Sequence, residues 1–182
     1  MRRTKRTFMA AGIILLVLLA AGYRNINRKI PPAVLNEARI GEQLEFQDGV
    51  MISVVSYRFL SDQEQEQLVA KMDREPMVGF KILEVKLTIE NTTAENKKII
   101  MTDLYVEGIG MGNGISKGII DVSGDCYSSL QQELQPGESR QICFPYDILK
   151  NEIFEREWER IEEREFWLVF SSYPVKNKLL LS

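Results

Sequence analysis

Apolar and polar positions alternate over much of this chain, and the alternation predicts strands. It is cleanest from Phe80 to Glu90, where Leu83, Val85, Leu87 and Ile89 interleave with Glu84, Lys86, Thr88 and Glu90. Successive side chains of a strand point to opposite faces, so one face of this segment is buried and the other is wet. Val50 to Leu60 is dense in β-branched and aromatic residues. Its apolar phase moves from Ile52 and Val54 to Val55, Tyr57 and Phe59, and a one-residue slip in a period of two predicts a bulge. Lys98–Val106, Ile119–Val122, Cys126–Leu134 and Gln141–Tyr146 read as further strands. Phe166–Tyr173 is apolar on both faces, as a central strand would be, and Leu179–Leu181 suits a terminal edge strand. Asp48-Gly49, Asn91-Thr92-Thr93, Asn113-Gly114 and Pro136-Gly137 supply the turns.

Two stretches break this rhythm. Residues 61–75 are polar and read as a loop or a short helix with Leu68, Val69 and Met72 on its apolar side. In 150–164, Phe154, Trp158 and Ile161 recur at helical spacing with Ile153 beside them, which predicts one amphipathic helix of about four turns near the C-terminus. Helices do not alternate regularly with strands, so the class is mainly β, a two-sheet sandwich over residues 42–182.

The N-terminus differs in kind. Arg2, Arg3, Lys5 and Arg6 precede an uncharged apolar run from Phe8 to Gly22. This is the layout of a signal peptide or a short signal-anchor over residues 1–29, with the membrane helix counted over 7–23. Retention gives a single-pass protein of the cell membrane with its domain extracytoplasmic; cleavage gives a secreted one. Residues 30–41, with Pro31 and Pro32, read as a stem in which Ala33–Ala38 forms one helical turn.

Charge sharpens the division. Residues 1–29 hold seven Lys or Arg and no acid, which leaves 16 basic and 26 acidic residues, a net charge of −10, for the remainder. Such a domain repels nucleic acid. Histidine is absent, which removes the commonest general base and metal ligand. Ser116-Lys117 is adjacent in sequence but sits on a glycine-rich stretch, Gly108 to Gly118, without the rigid platform catalysis needs. That stretch matches no phosphate-binding spacing and reads as a loop. Asp121 and Asp125 read as solvated acids, without the twelve-residue calcium signature. The sequence therefore assigns no catalytic residue, no cofactor and no metal site. Cys126 and Cys143 are the only cysteines and are candidates for a disulfide.

Several motifs together carry a resemblance: the Phe80–Glu90 strand followed by Asn91-Thr92-Thr93, the turn Leu134-Gln135-Pro136-Gly137-Glu138-Ser139, the strand end Phe144-Pro145-Tyr146, and the closing Ser172-Tyr173-Pro174-Val175-Lys176-Asn177. In this order they resemble a group of Gram-positive bacterial proteins, membrane-anchored or secreted, whose immunoglobulin-like sandwich has no known function. The resemblance implies an immunoglobulin-like fold and structural roles for Asn91 and Gly137. It supplies no catalytic residues. The expectation is a non-catalytic extracytoplasmic domain that binds or supports a protein or a cell-envelope component; the alternative is an accessory subunit of a membrane transport or export complex. Its candidate partner surface is Ile153, Phe154, Trp158 and Ile161 on the helix, with Asn113 and Gly114.

Overall fold

The computed structural model describes residues 2–72, 76 and 78–182. The chain falls into two units, Met1–Val34 and Leu35–Ser182. The first is one helix, α1 (Arg2–Lys29), which stops just before Pro31 and Pro32, where backbone N–H donors are lost. Among the described residues, no helix is long and apolar enough to cross a membrane. The physical reason lies in the charge spacing. Phe8 to Gly22 spans only about 22 Å as a helix, against a hydrocarbon core of about 30 Å, and Arg24, Arg28 and Lys29 follow closely. The expected membrane helix over 7–23 is thereby overturned, and with it the signal-anchor, the membrane as a partner and the single-pass topology.

The second unit is mainly β and resembles an immunoglobulin-like sandwich. One sheet has four antiparallel strands in the order β2 (Gln43–Gln47), β3 (Val50–Phe59), β4 (Phe80–Asn91) and β9 (Ser139–Leu149). The other has five, ordered β1 (Val34–Ala38), β11 (Val175–Leu180), β10 (Trp167–Ser171), β6 (Tyr105–Gly108) and β7 (Met111–Gly114). A two-stranded piece pairs β5 (Lys97–Ile100) with β8 (Gln131–Leu134). The core lies between the large sheets. Leu83, Val85, Leu87 and Ile89 of β4 are fully buried, as are Phe144 and Tyr146 of β9 and Leu168 of β10. Burying each large apolar side chain contributes about 1.5–3 kcal/mol. The slip in β3 is a real bulge: the register with β4 skips Val55, between Val54 and Ser56.

Several elements differ from the sequence expectation. Residues 34–38 are strand β1, not a helical turn, because they add to the edge of β11. Lys98–Val106 is broken by a 3-10 turn, Met101–Asp103, that buries Met101. The glycine-rich stretch is a hairpin of β6 and β7 turning at Ile109-Gly110, where Gly110 has φ +83°; Asn113 and Gly114 sit in β7, not at a turn. Ile119–Val122 lies in helix α3 (Lys117–Ser123), because Ile119 is buried against Leu60 and Ile82 on the outer face of the four-stranded sheet. Helix α2 (Asp62–Val69) packs Leu68 on the same cluster; residues 73–75 of the polar stretch lie outside the described residues. The final strand is no edge: β11 runs between β1 and β10.

The C-terminal amphipathic helix is also corrected. Residues 150–164 form a 3-10 turn at Lys150–Glu152, a single helical turn α4 (Glu155–Trp158) and another 3-10 turn at Ile161–Glu163. Burial overrides helical spacing here. Ile153 and Ile161 are both buried, and Phe154 is extended, at ψ 137°, which breaks the helix between them.

Candidate functional site

The two ends of the β4–β9 ladder treat their polar groups differently. At one end Asn91 is fully buried. Its Nδ2 donates to the carbonyls of Glu95 at 2.7 Å, Gln135 at 3.0 Å and Leu134 at 3.3 Å. Its Oδ1 accepts from Thr93 N at 3.0 Å and Thr93 Oγ1 at 2.8 Å. Gly137 turns the opposing chain with φ +72°, and its amide donates to the Asn91 carbonyl. Every polar atom of this side chain is satisfied.

At the other end, the hydroxyl of Tyr146 and Oδ1 of Asp147 are buried without a hydrogen-bond partner among the described residues. Among the described residues, Asp147 Oδ2 accepts only from Ser116 Oγ, at 2.7 Å. Burial pushes the Asp147 carboxyl above its ordinary range, and the Ser116 bond only partly offsets this. Asp147 lines a cleft of about 360 Å³ with Asn113, Gly114, Ser116, Lys117 and Leu149. Asn113 Nδ2 donates to the Asp147 carbonyl at 2.9 Å and to Glu152 Oε2 at 3.0 Å, so it ties β7 both to β9 and to the segment that follows. Ser116 N donates to the Pro145 carbonyl at 2.8 Å, and Pro145 has no donor of its own. In this way the outer edge of β9 is closed against further pairing.

The surface continues along that segment. Arg164, whose side chain is largely buried, donates from Nη2 to the Ile109 carbonyl at the hairpin tip (2.5 Å) and from Nη1 to Glu157 of α4 (2.9 Å). The hairpin tip and α4 are thus fastened to one another. On this framework two large apolar side chains face solvent: Ile109, 77% exposed, and Phe154, 72% exposed. The Arg156 guanidinium lies 5.6 Å from the Phe154 ring centroid.

The family model of a domain of unknown function, DUF5028, matches residues 31–177. The chain belongs to the DUF5028 family. No curated protein matches it. Among solved structures, a secreted protein of Mycobacterium tuberculosis, MPT63, is similar in fold at 10% identity, with 81% of this chain and 97% of that one covered and a TM-score of 0.52. An uncharacterized β-sandwich protein of Clostridium difficile aligns at 12% identity over 82% of this chain and 96% of that one, TM-score 0.46. The yjhA protein of Bacillus subtilis aligns at 11% over 79% and 98%, TM-score 0.46. These likenesses concern the fold alone.

Within this DUF5028 domain the residues singled out from sequence separate. Asn113 and Gly114 lie at the cleft, and Asn113 contacts the 150–164 segment through Glu152. Ile153 and Ile161 belong to the core, Trp158 is half-buried against it, and only Phe154 is presented outward. Ser116 and Lys117 serve different carboxylates: Ser116 donates to Asp147, and Lys117 pairs with Asp121 at 2.5 Å. Among the described residues, no group of three or more His, Cys, Asp or Glu is placed to hold a metal ion. Both thiols are free, Cys126 exposed and Cys143 half-buried. Sequence reasoning passed over Asp147, Ile109 and Arg164. Asp147 had a signal, a lone acid in the otherwise apolar run Phe144–Leu149. Ile109 and Arg164 had none, because their role depends on a hairpin tip meeting a distant segment.

Proposed function

We propose that this DUF5028 domain is a non-catalytic binding module that engages a protein partner through the end of the sandwich built from the β6–β7 tip and the 150–164 segment. The observation that carries this reading is the pair of exposed apolar side chains, Ile109 and Phe154, on elements that Arg164 and Asn113 lock in place. Large apolar groups on a pre-ordered framework bind with little ordering cost, and a few such anchors supply most of an interface's energy. Loops and tips on a rigid sandwich are where such domains make contacts. The unpartnered groups of Tyr146 and Asp147 add to the case, since energetically costly features collect at functional sites.

The test compares the full chain with Ile109→Asp/Phe154→Asp as bait for proteins extracted from its own cells. The reading expects one partner held in fixed proportion by the native chain, lost from the double variant and kept by Tyr57→Asp, a change at an exposed apolar residue of β3. Equal retention by both variants would remove the sandwich end as the binding surface.

A further inference from the structure

The outer face of the four-stranded sheet carries a second feature, unrelated to the sandwich end. Cys143 lies on β9 opposite Lys86 in register and is half-buried, beside the segment that follows α3. Ser128 of that segment is fastened directly to it. The Ser128 amide donates to the Cys143 carbonyl at 3.0 Å, and the Cys143 amide donates to Ser128 Oγ at 3.0 Å. Cys126 is two residues upstream. It is exposed and lines a groove of about 290 Å³ with Tyr127, Arg58, Glu64 and Glu84. Glu84 shares the outer face of β4, opposite Pro145 of β9, so both thiols belong to the same side of the sheet.

We propose that Cys126 and Cys143 form a thiol–disulfide exchange site for low-molecular-weight disulfides, which closes into an intramolecular Cys126–Cys143 bridge. Two residues of chain reach at most about 7 Å, and a disulfide needs Cα atoms about 4.4–6.8 Å apart. Cys126 stands within that reach of Ser128, which is itself hydrogen-bonded to Cys143, so a local shift of its turn would bring the two thiols together. The 3-10 turn that carries it, Gly124–Cys126, begins at a glycine with φ +66° and no atom within 4 Å of an added Cβ. At this glycine no neighbouring atom opposes a change in the backbone.

The two thiols differ as attacking and resolving groups should. Cys126 is open to solvent. Burial, aided by the Glu84 charge, pushes the Cys143 thiol up to about 11, which leaves the first attack to Cys126. In the first step the Cys126 thiolate attacks one sulfur of the small disulfide. The S–S bond breaks, a mixed disulfide forms on Cys126, and the departing thiolate takes up the proton that Cys126 released. In the second step Cys143, as thiolate, attacks the Cys126 sulfur. The mixed bond breaks, and a second small thiol leaves with the Cys143 proton. The protein loses two electrons and the small disulfide gains them.

The experiment incubates the full chain with oxidised glutathione and follows released thiol, intact mass and non-reduced peptide maps. The native chain is expected to release two glutathione thiols and to yield a Cys126–Cys143 linked peptide, lighter by two hydrogens. Cys143→Ser should stop after one thiol with glutathione held on Cys126. Cys126→Ala should react at least tenfold more slowly than the native chain. A native chain that accumulates the same stable mixed disulfide as Cys143→Ser would overturn the proposal, as would Cys126→Ala reacting at the native rate. Linkage only between separate chains would overturn it too. The native peptide map decides the matter even where a variant folds poorly.

Discussion

The two ends of one β ladder show what a buried polar group does when its needs are met and when they are not. Asn91, at the Ser139 end, makes five hydrogen bonds through its side chain. Asp147, near the Leu149 end, makes one, and both its Oδ1 and the neighbouring Tyr146 hydroxyl lack a partner among the described residues. Burial without a partner costs about 1–3 kcal/mol per group. The first arrangement fixes the fold, and the second draws stability away from it. The uncompensated acid beside a cleft and the apolar side chains exposed along the same end set that pole apart from the one Asn91 fixes.

The comparison breaks most directly at Asn91. Asn91→Ala strands three carbonyls and the Thr93 donors, and should destabilise the domain by about 3 kcal/mol. Urea denaturation would show it as a lower midpoint at unchanged slope. A loss under about 1 kcal/mol would mean that water replaces the side chain and that this end is not the anchor described.

At the opposite end the sign should reverse. Tyr146→Phe removes a hydroxyl without a partner among the described residues and should stabilise by about 1 kcal/mol. Asp147→Asn keeps the shape, can still bond Ser116 Oγ, and should also stabilise by about 1 kcal/mol at neutral pH. Its pH dependence follows from the raised carboxyl. The folded state binds this proton more tightly than the unfolded one. The contribution is therefore favourable below the ordinary carboxylate range and lost as pH rises through the folded value. The advantage of Asp147→Asn should shrink in acid, and equal unfolding midpoints at neutral pH would refute the reading of Asp147 as uncompensated.

A smaller effect is expected at Arg164. Arg164→Ala frees the Ile109 carbonyl and Glu157 and should cost about 1 kcal/mol overall. Hydrogen exchange at the β6–β7 tip and in α4 should rise together. A rise in only one of them would show that Arg164 does not couple the two.

How much of this was legible in the chain follows from which interactions are local. The β4 alternation, the β3 bulge and the Pro136-Gly137 turn are all written in short stretches of sequence, and the structural place of Asn91 came with the family resemblance. Residues 150–164 are the opposite case. Their helical spacing is genuine, yet Ile153 and Ile161 are drawn to the core from either side of an extended Phe154, and α4 keeps a single turn. Ile119–Val122 was misread for a related reason. Apolar residues in a short run fit helix and strand alike, and only the Leu60–Ile82 surface decides between them. The run from Phe8 to Gly22 misled through its composition, since apolar character was plain but length against charge was the deciding quantity. Asp147 could have been suspected from its apolar neighbours, but its missing partner is a property of three dimensions.

The finest test sets one carboxylate against another. Glu64 is only partly covered, yet its carboxyl is lowered to about 2, first by the Ser61 amide, then by the Ser61 hydroxyl, then by Arg58. The bonds to Ser61 close a capping box at the start of α2: Ser61 N donates to Glu64 Oε2 at 2.9 Å, and Ser61 Oγ accepts from Glu64 N at 3.3 Å. Here the folded state favours the charged form. The contribution is present above the ordinary glutamate range and is lost as pH falls from there through about 2. On acidification, then, Glu64 releases stability while Asp147 gains it. Side-chain carboxyl resonances followed across an acid titration should separate the two, Glu64 below and Asp147 above the normal range. Ser61→Ala should return Glu64 toward its ordinary value and fray α2 while leaving Asp147 where it is. If both carboxyls titrate together in the native chain, the satisfied and the uncompensated acid are not distinct states, and the contrast between the two ends rests on Asn91 alone.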